Sequence, residues 1–205
     1  MNARLLRTTR SDNRLPEVLD AAARLFAAKG YSATSMRDIA EDCDMLPGSL
    51  YYHFAAKEDL LVAVYQAGVR ELRDAVRAAL AHPGEPWARL EAACAAHLET
   101  VLRNSDYAQV LVRVLPSDVP GAATRLKALR SDYEEQFREL LVALPLPADT
   151  DRRIFRLMLL GALNWSRFWF SEDGAGAPKA RPRRRETPKS LARKFVTMLK
   201  EAQHA

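Results

Sequence analysis

Ser49, Tyr51, Tyr52 and His53 fall within five consecutive positions, and Lys57 follows four residues later. A tyrosine hydroxyl can hold a phosphate oxygen while its ring packs on a sugar or a thymine methyl. Serine and histidine can donate to phosphate oxygens or base edges, and the lysine ammonium can reach the phosphate backbone. The chemistry on offer is recognition of double-stranded DNA. The histidines His53, His82, His97 and His204 show no metal-ligand spacing, and the chain has no Gly-rich phosphate loop and no nucleophile elbow. No catalytic residue, metal ligand or cofactor is therefore assigned. The same Tyr-Tyr-His run also suits an ordinary solvated helix face, so the elements that position it must decide.

Those elements read as two short helices joined by a tight turn. Ser35 can cap the first by accepting from the amide of Asp38, whose carboxylate can reach back, a Ser-x-x-Asp capping box. Met36, Ile39, Ala40 and Cys43 then make one apolar face. Asp44 suits the turn because aspartate tolerates left-handed dihedrals. Pro47 restarts a helix at its first position, where a missing N–H costs nothing. Leu50 and Phe54 face inward, which leaves Ser49, Tyr51, Tyr52 and His53 to point elsewhere. A longer helix, about Arg14 to Lys29, precedes this pair and breaks at Gly30-Tyr31. A helix-turn-helix whose second helix enters a DNA groove has this grammar.

The strings Gly30-Tyr31-Ser32-Ala33-Thr34-Ser35-Met36-Arg37-Asp38-Ile39-Ala40 and Gly48-Ser49-Leu50-Tyr51-Tyr52-His53-Phe54-Ala55-Ala56-Lys57-Glu58-Asp59-Leu60 resemble the DNA-binding domain of the TetR/AcrR transcriptional regulators. The resemblance runs from about Leu15 to Leu61. It implies that Ser35, Ser49, Tyr51, Tyr52, His53 and Lys57 touch DNA, with Thr34, Arg37, Leu46 and Pro47 as further candidates. Cys43-Asp44-Met45 departs from the family's usual Ala-Gly-Val-type turn, which puts the insertion angle, and so the operator, in question.

Composition supports an all-helical chain. Its 205 residues are 48% apolar, enough for a real core, and 11 prolines and 8 glycines punctuate helical rather than alternating patterns. The net charge of +5 is local: residues 174–190 hold Lys179, Arg181, Arg183, Arg184, Arg185 and Lys189 against Glu186 alone. Residues 1–60 carry eight basic and nine acidic side chains, so DNA affinity must come from placement, with Arg4, Arg7, Arg10 and Arg14 leading. The leading arm reads equally as a mobile phosphate-following arm or a solvated tail. Two cysteines, Cys43 and Cys94, suggest neither a disulfide framework nor a metal cluster, and point to a reducing cytoplasm. No signal-peptide core and no apolar run near the ~18 residues needed to span a bilayer is present, so no membrane partner is expected.

The expected architecture is an N-terminal three-helix helix-turn-helix domain over residues 1–60 and a helical effector-binding and dimerisation domain over 61–205, about nine helices in all. Pro83, Pro86, Pro116, Pro120, Pro145 and Pro147 separate the later helices. The helix from Asp149 to Phe170 is apolar nearly all round and must be covered on several sides. Phe155, Leu159, Ala162, Phe168 and Trp169, with Leu191, Phe195 and Leu199 of the last helix, are candidates for an isologous four-helix interface between two copies. Burial in a monomer core is the other reading. A dimer would set two reading helices for successive major grooves of a palindromic operator, about 34–36 Å apart or a multiple.

About 140 residues beyond the reader exceed what dimerisation needs, which predicts an effector cavity between helices. Trp87, His97, Tyr107, Val110, Arg113, Leu126, Tyr133, Asn164 and Trp165 are candidate lining residues; each also suits an ordinary core. Residues 155–202, with Met158-Leu159-Leu160-Gly161-Ala162-Leu163-Asn164-Trp165, resemble a TetR subgroup tied to lipid and steroid catabolism, which implies an acyl-CoA thioester effector. The basic linker Gly174 to Pro188 departs from that subgroup. It reads as a solvated loop, or as a phosphate clamp through Arg183, Arg184 and Arg185. The long helix from Glu58 would carry the effector's influence to the reader. The rivals are a drug-efflux regulator sensing lipophilic or cationic compounds, a thioester-binding or -hydrolysing protein, and a small-molecule buffer that has lost DNA binding.

Overall fold

In the computed structural model, residues 14–103, 105–170 and 186–202 are described. Among them are nine α-helices, three 3-10 turns and no strand. The helices are α1 (Leu15–Lys29), α2 (Met36–Asp42), α3 (Pro47–His53), α4 (Lys57–Ala79), α5 (Pro86–Leu102), α6 (Asp106–Arg113), α7 (Ala123–Val142), α8 (Arg152–Trp165) and α9 (Pro188–Glu201). The leading-arm residues Arg4, Arg7 and Arg10, and the linker arginines Arg183, Arg184 and Arg185, lie outside the described residues.

The chain divides into two compact units that are discontinuous in sequence. One gathers Met1–Val69 with Asp106–Arg130, the other Arg70–Ser105 with Ser131–Ala205. A cut at residue 60 follows the linear chain, whereas α6 packs on α1 and so joins the N-terminal helices. The Tyr107 hydroxyl donates to the Asp20 carboxylate at 2.7 Å, and the Arg113 guanidinium donates to the Ala27 carbonyl.

The first unit is built on α1. Pro16 opens that helix, while Glu17 in its first turn and Lys29 in its last complement the helix dipole. Val18, Ala22 and Phe26 are sealed from solvent with Ile39, Leu50, Leu61, Val64 and Leu126. Truncating one of the larger of these to alanine costs about 2–5 kcal/mol, so this core rigidly backs α2 and α3. Gly68 marks a close approach: a Cβ there would meet the Tyr107 carbonyl oxygen at 2.8 Å and the Leu111 side chain at 3.1 Å.

In the second unit α9 packs on α5, and Ala88, Ala92, Ala95 and Ala96 of α5 border an open hollow with Lys189 and Arg193 of α9. Arg193 pairs with Glu91 at 3.2 Å. Leu90, Cys94, Leu98, Phe137, Leu163 and Ala192 form the core. Both cysteines are free and buried, and burial raises both thiol pKa values. Among the described residues no helix is long and apolar enough to cross a membrane, and no cluster of metal-ligating side chains occurs.

Candidate functional site

The reader begins with a reciprocal cap. Ser35 is extended, its Oγ accepts the Asp38 amide at 3.1 Å, and the Asp38 carboxylate accepts the Ser35 amide at 2.8 Å. Those bonds to Ser35 hold the Asp38 carboxyl below the usual range. Asp44 takes φ +53° in the turn, the one non-glycine residue with positive φ among those described. Pro47 opens α3, but Leu46 stands at its N-cap with no side-chain bond and is 77% exposed.

Helix α3 buries Leu50 alone. Tyr51 is 52% exposed and Tyr52 81% exposed. Ser49, Pro47, Ser35 and Arg37 are exposed too, whereas His53 is half-buried with its ring edge to Tyr52 at 5.6 Å. Arg37, Met45, Leu46, Pro47 and Tyr51, with the carboxylates of Glu41 and Asp44, border an open hollow of about 800 Å³. Arginine there suits guanine or phosphate, a carboxylate suits the cytosine amine, and leucine suits a thymine methyl.

Three residues read as DNA contacts are engaged by backbone carbonyls of their own unit. Thr34 is buried, its hydroxyl donating to the Gly30 carbonyl at 2.8 Å and the Leu25 carbonyl at 3.3 Å. Arg14 bonds Glu17 at 2.8 Å and donates to the Cys43 carbonyl, tying α1 to the turn. The Lys57 ammonium donates to the carbonyls of Tyr31 at 2.9 Å and Thr34 at 2.8 Å, and lies 4.2 Å from the Tyr31 ring centroid. Apart from the i,i+3 pair of Arg14 with Glu17, the partners are backbone carbonyls, which no side-chain pattern announces.

Of the candidate effector residues, His97, Tyr133 and Asn164 come together in the second unit. His97 Nδ1 is 2.7 Å from the Tyr133 hydroxyl, with Phe137 edge-on at 6.1 Å between centroids. Burial pushes the imidazole down to about 4, with the neighbouring Asn164 side chain opposing part of the shift. It raises the Tyr133 phenol well above its ordinary value, so both groups are neutral near pH 7. Trp87 is half-buried at the start of α5. Trp165 is 64% exposed and stacks on Phe168 at 4.7 Å, so it does not line an interior of its unit. Tyr107, Arg113, Val110 and Leu126 belong to the first unit. There Val110 and Leu126 are closed core, while Tyr107 and Arg113 hold α1.

The candidate subunit-interface residues differ in exposure within their own unit. Phe155, Leu159 and Leu191 are buried within their own unit, and Ala162, Phe195 and Leu199 are half-buried. The apolar residues that α8 leaves exposed are Ile154, Leu157, Met158 and Trp165, on one stripe with Gly161; Phe168, Trp169 and Met198 are exposed nearby in sequence or on α9. Apolar residues on nearly every face of this helix leave open which face its own unit covers. Spacing of three, four, seven and eleven residues from Ile154 would have picked out this stripe.

Comparison with known proteins places these features. Residues 18–64 match the family described as bacterial regulatory proteins, tetR family, and residues 83–200 match the tetracyclin repressor-like C-terminal domain. The HTH-type transcriptional repressor KstR2 of Rhodococcus jostii (strain RHA1) is 32% identical over 65% of this chain and 64% of its own. Similarity to the KstR2 proteins of R. jostii and Mycobacterium tuberculosis thus spans only half to about two thirds of their length. The transcriptional activator FasR of Mycolicibacterium smegmatis is 28% identical over 80% of this chain and 78% of its own. Among solved structures, AibR in complex with isovaleryl coenzyme A and operator DNA superposes with a TM-score of 0.73 at 26% identity, covering 90% of this chain and 97% of AibR.

Proposed function

Because the chain belongs to the TetR family of bacterial regulatory proteins, we propose that it is a ligand-responsive transcriptional regulator, a repressor that binds a palindromic operator as a homodimer. The observation that carries this is the composition of α3. It buries Leu50 alone and leaves Ser49, Tyr51 and Tyr52 outward, which makes no sense as packing and good sense as a surface for a groove. Selection of genomic fragments by the purified protein tests it, repeated with Tyr51 and Tyr52 both changed to Ala. Enrichment of a palindrome by the wild type alone is expected; no enrichment at low salt, where phosphate contacts are strongest, overturns the reading. Buried free thiols suit a reducing cytoplasm.

The division of labour we propose is residues 1–60 for reading and 61–205 for effector binding and dimerisation. In the second unit Arg73 Nε, His97 Nε2, both polar atoms of the Gln136 amide and Arg156 Nε are buried without a hydrogen-bond partner among the described residues. Buried polar atoms of this kind call for an explanation, and a bound molecule supplies one. These groups are mostly donors, two of them on guanidinium groups. They favour an effector rich in acceptors, such as a thioester, over a cationic drug. AibR, solved with isovaleryl coenzyme A, supports the same class. Helix α4 runs from the reader through residue 69, where the first unit ends, so an effector that prefers one setting of α4 would change operator affinity. Equal affinity for acyl-CoA with and without operator would remove that coupling. Release of free CoA from the thioester would instead indicate a hydrolase.

A further inference from the structure

We propose that Gln136 selects the effector by pairing, through both ends of its side-chain amide, with the consecutive amides of a pantetheine arm. The inference deepens the thioester reading above and rests on it. On α7, Tyr133, Phe137 and Leu140 are buried, and Gln136 stands one turn after Tyr133 and one before Leu140. It therefore belongs to the core-facing row of its helix, where leucine or methionine would serve packing better. Both Oε1 and Nε2 of Gln136 are sealed from solvent and meet no hydrogen-bond partner among the described residues. Exchanging the two ends of the amide alters nothing, because neither is satisfied.

His97, bonded to Tyr133 one turn along α7, adds a second unpartnered group. Tyr133 has one proton to give. Given to His97 Nδ1, it leaves the imidazole proton on Nε2, and that donor is then the one group unsatisfied. The reverse tautomer would strand the phenol proton and the Nε2 lone pair together. Nε2–H is thus a donor in want of a carbonyl, in a residue only 1% exposed.

The glutamine fork asks for an acceptor and a donor side by side. A carboxylate or a thioester carbonyl offers acceptors alone, and an ammonium offers donors alone. A single trans amide turns its C=O and N–H to opposite sides, so the fork takes the C=O of one amide and the N–H of the next. Coenzyme A carries such a pair between its sulfur and its nucleotide, with the thioester carbonyl close by for His97. A site built this way rejects an analogue without the amides, because its own polar atoms then stay unpaired.

Calorimetry on the full chain tests the assignment. Saturated acyl-CoAs of increasing chain length find the acyl group that binds best. That acyl group is then offered as its pantetheine thioester, which has both amides, and as its ethyl thioester, which has none. The wild type should prefer the pantetheine thioester, and in Gln136→Leu and Gln136→Met that preference should shrink at least tenfold. The free variants should melt at or above the wild-type temperature, since an unpaired buried amide has been replaced by an apolar group. A preference unchanged in both variants overturns the proposal. So does a melting temperature clearly lowered in both, which would show Gln136 satisfied within the fold. Failure of every acyl-CoA to bind a wild type that still binds its operator removes the thioester reading, and the role of Gln136 with it. Tight acyl-CoA binding with no preference between the two thioesters removes the role of Gln136 alone.

Discussion

The imidazole of His97 and the phenol of Tyr133 meet at 2.7 Å in the interior of the second unit, a neutral pair beside the Asn164 side chain. A histidine held neutral there makes stability depend on pH. Its folded pKa, about 4, lies below the ordinary 6.5, so the unfolded chain binds the extra proton. The stability contributed is complete above pH 6.5 and is lost as pH falls toward 4. The total is on the order of 3 kcal/mol. Urea unfolding at several pH values in that window should show a steeper decline for wild type than for His97→Gln. Parallel declines would contradict the assignment.

Gly68 should not tolerate alanine. A Cβ would stand 2.8 Å from a backbone carbonyl, which cannot swing away as a side chain can. Although alanine is the better helix former, Gly68→Ala should lose about 1–3 kcal/mol. A Tm equal to or above that of wild type would show that α4 and α6 can part without penalty.

The capping box predicts paired effects. Ser35→Ala should cost about 1 kcal/mol, and Asp38→Ala a similar amount. The double variant should cost little more than either, because the two bonds form one unit. Chemical denaturation decides, and full additivity would mean that each bond stands alone.

The stripe on α8 separates association from folding. Leu157→Asp and Trp165→Asp, both at exposed positions, should yield monomers with unaltered helical circular dichroism. Leu163→Asp, at a fully buried position, should unfold the chain. Sedimentation at micromolar concentration reads the difference. Dimers that persist in both surface variants would move the interface elsewhere.

The parts of this protein legible in sequence are those whose causes are local. The Ser35–Asp38 box, the left-handed Asp44, the start at Pro47 and the outward tyrosines all follow from neighbours within a few positions, and the structure has each of them. What sequence did not disclose depends on partners far along the chain. Lys57 and Arg14 are basic residues near a DNA-facing segment, and their carbonyl partners lie 23 to 29 residues away. The docking of α6 on α1 brings Tyr107 to Asp20 over 87 residues, too far for any pattern to mark. On α8, composition demands cover but leaves the phase open, and Phe155 and Leu159, candidates for the outer face, lie inward.

The lone buried leucine and the empty N-cap of α3 bear on more than contact chemistry. Seven residues, one anchor and no side-chain cap make this the weakest-held helix of the reader. Off DNA it should open and close far more readily than α1, whose Val18, Ala22 and Phe26 are sealed. Complex formation then includes a folding event. Its calorimetric signature is a heat-capacity decrement larger than the area of the rigid contact implies, and part of sequence discrimination becomes a matter of which duplexes let the helix finish forming.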